Sequence, residues 1–213
     1  MARTGPITRD ATTVTLGLAQ IRVKASAAYI GQIAPVLTSS DSLGALANTK
    51  FMGTQEFYKL ESGYPLLEDA VFPLREMASL ECAFKEITPA NMALAKGLDP
   101  TSYTNAHYGQ IPLGTLTTPA YLRMEAIYTY PDGVNTLTII FPRAQVIANP
   151  ELDWQLEEPA AVPIMIEAKR ADSEASGGHV VWDNMPLGML QWNDGSTLTS
   201  TTSSTSTSTT TTS

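Results

Sequence analysis

Along the 213-residue chain, apolar and polar positions alternate mostly at period two, the spacing of half-buried strands. The run TTVTLGLAQIRV, Thr12 to Val23, sets Val14, Leu16, Leu18 and Gln20 on one face and predicts a strand. A second extended segment is expected from about Ala28 to Leu37. Around Tyr58–Glu61 and Ser79–Lys85 the alternation resumes. Gly63-Tyr64-Pro65 and Phe72-Pro73-Leu74 interrupt it with breakers, so the stretch reads as strand, tight turn, strand, strand.

The clearest hairpin follows later. Leu122, Met124, Ala126, Tyr128 and Tyr130 alternate with Arg123, Glu125, Ile127 and Thr129; Pro131-Asp132-Gly133 supplies the turn, and Asn135 to Phe141 returns. Pro142 is expected to end that strand or mark an edge, with Arg143 to Ala148 continuing it after a bend. Pro163 to Lys169 predicts another strand, and His179 to Trp182 a short final one, with Trp192 beyond.

One helix stands out. Thr88 before Pro89 is an N-cap donor ahead of a proline at the first helical position. Met92, Leu94, Ala95 and Leu98 form an apolar face, and Gly97 is placed to stop it. So short a helix needs a sheet beneath it. Many strands and one helix exclude a doubly wound α/β fold. They fit a mainly β fold, a sandwich or partial barrel with one flanking α-helix and long inter-strand loops.

Two such loops are read. Ser39 to about Lys50 carries Leu43, Leu46, Phe51 and Met52, too many apolar side chains for a purely solvated loop. Either it packs as a helical turn on its own domain, or it is an arm that packs on another subunit. Asp99 to Thr118, rich in Thr, Gly, Pro, Tyr and Asn, is the second.

The formal charge of −8 argues against binding nucleic acid by neutralising phosphates. Cys82 is the single cysteine, so no intramolecular disulfide or thiolate cluster is available, and it reads as a small buried hydrophobe. No apolar run is long enough to span a bilayer and no secretion signal is read at the N-terminus, so a cytoplasmic origin is expected. From Thr199 to Ser213 every residue is Ser or Thr, a composition that buries nothing apolar and is expected to be disordered.

Catalytic chemistry is not legible. There is no phosphate-binding glycine loop and no Gly-x-Ser-x-Gly elbow. His107 and His179 have no partner at metal or catalytic spacing. Glu68-Asp69 and Glu157-Glu158 are adjacent carboxylates, which on a strand point to opposite faces rather than flanking one substrate. Trp154, Trp182 and Trp192 read as core or interface residues before they read as a sugar platform. No catalytic residue, cofactor or metal is assigned.

The block from Glu56 to Gly97 nevertheless resembles the central part of bacteriophage major tail tube proteins. It has a Gly-Tyr-Pro turn, the acidic pair Glu68-Asp69, Pro73-Leu74-Arg75-Glu76, the strand Ser79–Phe84 and the helix start Glu86-Ile87-Thr88-Pro89-Ala90-Asn91. The hairpin at Pro131-Asp132-Gly133 and the step Phe141-Pro142-Arg143-Ala144 resemble their second half. The resemblance covers about residues 55 to 185.

It implies a β-sandwich subunit that assembles into hexameric rings. The rings stack into the tail of a virion built in the host cytoplasm, and DNA passes through the lumen without specific binding. Tape-measure and tail terminator or initiator proteins are the further partners implied, and no membrane is involved. On this reading residues 1–195 are the tail tube domain, with 1–11 a mobile arm, and 196–213 the Ser/Thr-rich tail. Much of the negative charge is expected to face the lumen and repel phosphate. Leu43, Leu46, Phe51, Met52, Tyr103 and Tyr108 are the candidate assembly contacts, and deleting Ser42–Asn48 is expected to leave a folded monomer unable to polymerise. Another virion structural protein (tail completion or decoration) and a monomeric glycan-binding sandwich are the alternatives.

Overall fold

The computed structural model describes residues 17–62, 67–103, 110–114, 118–147, 150–152 and 159–193. The N-terminal arm, Gly63-Tyr64-Pro65, His107, Tyr108, Trp154, Glu157-Glu158 and the Ser/Thr tail lie outside these residues.

Among the described residues the fold is mainly β with one α-helix, as the alternation predicts. Seven strands, β1 (Gln20–Ala25), β2 (Leu46–Ser62), β3 (Leu67–Phe84), β4 (Leu122–Thr129), β5 (Thr136–Val146), β6 (Val162–Ala168) and β7 (Met189–Asn193), form one antiparallel sheet. Its order is β1-β4-β5-β6-β3-β2, with β7 also on β5. The sheet stays open rather than closing into a barrel, and β5 is where it divides. Thr136–Ile140 of β5 pair with β7, whereas Ala144–Val146 pair with β6.

Pro142 makes that division possible. Between the pairs Leu122–Ala144 and Met124–Phe141, β5 has one residue more than β4, a bulge holding Pro142 and Arg143 opposite Arg123. A proline in a bulge owes the ladder no N–H, so β5 runs on to Val146 instead of stopping. Ser26 Oγ donates to the Pro142 carbonyl at 2.7 Å. Pro73 behaves alike. Glu56 pairs with Arg75 and Phe57 with Pro73, so Leu74 is the extra residue and β3 passes unbroken through the expected interruption at Phe72-Pro73-Leu74.

Helix α1 (Pro89–Ala95) follows the predicted chemistry. Thr88 Oγ1 accepts from Asn91 N at 3.2 Å. At the other end Leu98 N donates to Ala93 O and Gly97 N to Leu94 O, with Gly97 at φ +73°, so a left-handed glycine closes the helix. Ala93, Leu94 and Ala95 are fully buried, Leu94 and Ala95 in the main core. Core residues from both halves of the sheet meet there: Ile21, Met124 and Phe141 with Leu80, Ile164 and Ile166.

Four expectations are corrected. The segment Ala28–Leu37 is a 3₁₀ turn and irregular chain, not a strand. The loop read to Lys50 ends sooner, because β2 already starts at Leu46. Val180–Trp182 is a 3₁₀ turn, and the final strand is β7 around Trp192. Within the described part of Thr12–Val23, the strand begins only at Gln20.

Candidate functional site

Two unusual regions stand out, one on each end of the strand order. The first is the distal half of the β2–β3 hairpin. Its base is anchored: Leu80, Cys82 and Phe84 are buried, and Phe51 packs on Phe141 with ring centroids 6.4 Å apart. Beyond Gly53, every residue of β2 through Ser62 is exposed, as is nearly all of its partner stretch Leu67–Glu76.

The side chains there are nevertheless those of a protein interior. Register and pleat put Tyr58, Phe72, Leu60 and Leu67 on one face, at 53, 51, 43 and 66% exposure. Phe57 and Val71 share the other face with the ion pair Lys59–Glu68 at 2.7 Å, and the bulged Leu74 is 67% exposed. The same stretch carries Glu56, Glu61, Glu68, Asp69 and Glu76 against only Lys59 and Arg75, so part of the chain's acidic surplus is concentrated there.

The second region is the reverse face of β1 and β4. Arg123 and Glu125, both fully buried, pair Nε to Oε1 at 2.8 Å. Their remaining hydrogen-bonding capacity goes to the irregular segment Tyr29–Leu37. Arg123 donates to the carbonyls of Tyr29 (2.9 Å), Gln32 (2.6 Å) and Ala34 (2.8 Å), while Glu125 accepts from Val36 N (2.9 Å) and Leu37 N (3.0 Å). Trp182, also fully buried, adds Nε1–H to the Ile30 carbonyl. Backbone that sequence reasoning would satisfy with a strand partner is satisfied by side chains.

The six sequence candidates separate. Leu43 is 4% exposed and belongs to the protein's own core; its N–H donates to Ile21 O and its carbonyl accepts from Asn91 Nδ2. Leu46 is half-buried against the same core. Phe51 is 38% exposed over Phe141, and Met52 is half-buried on the opposite face of β2. Tyr103 lines a cavity of about 140 Å³ with Lys24, Asp41, Asn91 and Thr101. The polar groups of that cavity serve one another: Lys24 Nζ meets Asp41 at 3.0 Å, and Asn91 Nδ2 also donates to Glu86 O. Tyr108 lies outside the described residues. Leu43 and Tyr103 thus line the same cavity, and the five described candidates do not form one surface patch.

Chemically reactive groups are muted. Burial pushes the Cys82 thiol up to about 12. His179 Nδ1 accepts from Val181 N at 3.3 Å. Among the described residues no three His, Cys, Asp or Glu side chains form a metal-binding group, and no helix is long and apolar enough to cross a membrane.

The hairpin's apolar content was visible in the sequence as Phe57, Tyr58, Leu60, Val71 and Phe72. What was missing was a sign that this hairpin outruns the sheet. No family model matches the chain, and no curated protein matches it.

Proposed function

We propose that this chain is a structural subunit that assembles with copies of itself into stacked hexameric rings, forming the tail tube of a bacteriophage virion and serving as a conduit for DNA. The observation that carries the reading is the distal β2–β3 hairpin. A two-stranded ribbon is at best marginally stable alone in water. Here, among the described residues, it presents large apolar side chains on both faces that remain about half exposed. Their uncovered area is on the order of 600 Å², close to the roughly 800 Å² per partner of a standard specific interface. Exposed apolar surface of this extent often marks an interaction site.

The open sheet supports the same reading. Among the described residues β2 ends the strand order, so its 17 residues offer an unpaired edge to another chain. Head-to-tail contacts whose rotation closes give rings, and sheets joined side by side around a ring enclose a channel. The acidic surplus would let DNA pass such a channel without binding. By the resemblance, tape-measure and terminator or initiator proteins would cap and measure the tube, which would be built in the host cytoplasm.

The test is negative-stain electron microscopy with sedimentation velocity over a hundredfold range of concentration, on the wild-type chain and on Tyr58→Lys/Phe72→Lys. The reading expects rings or hollow tubes from the wild type and folded monomers from the variant. Wild-type monomers at every concentration, or tubes indifferent to the hairpin change, would overturn it.

A further inference from the structure

We infer that the segment Tyr29–Leu37, with the neighbouring turn at Val180, is a preformed dock for the distal β2–β3 hairpin of a second copy of this chain. This rests on the assembly reading above and adds which two surfaces meet.

The first observation is how the segment is held. Gly31 to Pro35 are exposed, yet the chain on either side of and within this stretch is fixed by two buried charges and a buried indole. Burying a carboxylate and a guanidinium opposes folding until pairing and hydrogen bonds offset it. A loop that only connects strands needs no such anchorage, because water satisfies its backbone. Anchorage of this kind produces a rigid exposed ridge, and a rigid surface loses less conformational entropy when it binds. On that ridge Ile33 is 37% exposed. Val180, next to the His179 ring that packs on Gly31, is 65% exposed.

The second observation is charge. Arg22 lies on the same face of the sheet, directly across from Glu125 in the β1–β4 ladder. Its guanidinium donates to Leu37 O at 2.6 Å and Gln20 Oε1 at 2.8 Å, and among the described residues it forms no ion pair. On the hairpin, Glu56, Glu61, Asp69 and Glu76 likewise form none, whereas Glu68 is paired with Lys59. A fixed cation beside a small apolar ridge complements an aromatic stripe edged with uncompensated carboxylates.

The third observation is position. The dock sits on β1 and β4 at one end of the strand order, and the hairpin is β2 and β3 at the other. The contact joins two different patches of the chain, so copies can make it head to tail, as a heterologous contact that closes into a ring or continues as a filament.

The experiment uses two single-cysteine additions in the full chain, Ile33→Cys and Leu60→Cys. Native Cys82 is buried and so is not a competing thiol. Mixing the two under mild oxidation should give a disulfide-linked heterodimer, with little dimer from either alone. In parallel, Arg22→Gln, which keeps a donor for Leu37 O, and Val180→Glu should each raise the concentration needed for assembly about tenfold while leaving the monomer's melting temperature unchanged. If the wild type assembles but the crosslink fails and both variants assemble normally, the dock is wrong and the assembly reading survives. If the wild type never assembles, both fall.

Discussion

Arg123 and Glu125, two residues apart on one face of β4, meet at 2.8 Å with both side chains fully buried, and between them they hold five backbone groups of Tyr29–Leu37. This pair replaces a strand partner. Removing one member leaves the other charge buried and uncompensated, which typically costs about 3–5 kcal/mol. Arg123→Met should therefore lower stability by that order in urea unfolding. Arg123→Met/Glu125→Leu should be less destabilised than the two single changes sum to. Additive single and double changes would mean that the two charges do not act as a unit.

Gly188 introduces β7 at φ +124°, and a Cβ there would stand 2.0 Å from the Ile140 carbonyl oxygen. Gly188→Ala must shift the backbone where β7 meets β5. The strained conformation alone is worth about 1–3 kcal/mol. Lower thermal stability and a changed Trp192 emission spectrum are the expected signs, since Trp192 pairs with Leu137 in that ladder.

Lys24 and Asp41 form a 3.0 Å ion pair at the lip of the small cavity. Burial pushes the Asp41 carboxyl up, but the Thr38 N–H and the Lys24 ammonium outweigh it and hold the group below its ordinary value of 3.8. The hydrogen bond to Asp41 holds Lys24 above its ordinary 10.5. A lowered acid contributes stability above its unfolded value and loses it as pH falls through the folded one. A raised base contributes below its unfolded value and loses it as pH rises through the folded one. The stability lost in Lys24→Met should thus be constant from about pH 5 to 9, within about 1 kcal/mol for so exposed a pair, and should shrink as pH falls below 3.8 toward the lowered Asp41 value. Urea midpoints at pH 7 and pH 2.5 decide it.

Deleting Ser42–Asn48 does not isolate an assembly loop, contrary to the sequence expectation. Leu43 is core, Gly44 adopts φ +79° against the Glu86 carboxylate, and β2 begins at Leu46. That deletion should give an unfolded or protease-sensitive chain. Shortening the hairpin beyond Glu56 and Arg75 should instead keep a cooperative unfolding transition, because no core residue lies there. Circular dichroism melts of the two deletions separate these outcomes.

Cys82 lies on β3 at 2% exposure, its thiol pushed up to about 12 by burial. It should resist a thiol reagent at pH 8 in the folded protein and react fully in denaturant. Rapid labelling under native conditions would show that the base of the hairpin opens.

The sequence by itself determined the class of fold, the helix with its Thr88 and Gly97 caps, and the β4–β5 hairpin. Those features depend on local geometry: period-two patterning, a side-chain cap and turn residues act over a few positions. It did not determine Ala28–Leu37, because Arg123 and Glu125 lie about ninety residues away and appear in the sequence as ordinary outward-facing polar residues of an alternating strand. It also misjudged Pro73, and it left Pro142 open between a strand end and a continuation after a bend, since whether a proline breaks a strand depends on whether the partner strand leaves it in a bulge.

The candidate surface divided in the same way. The apolar residues of the hairpin were legible, but their exposure was not, because hydrophobicity records what a side chain would bury and not whether the sheet extends far enough to bury it. Only the tertiary structure, by ending β1, β4, β5 and β6 short of the hairpin's tip, decided that Tyr58 and Phe72 face solvent while Leu43 does not.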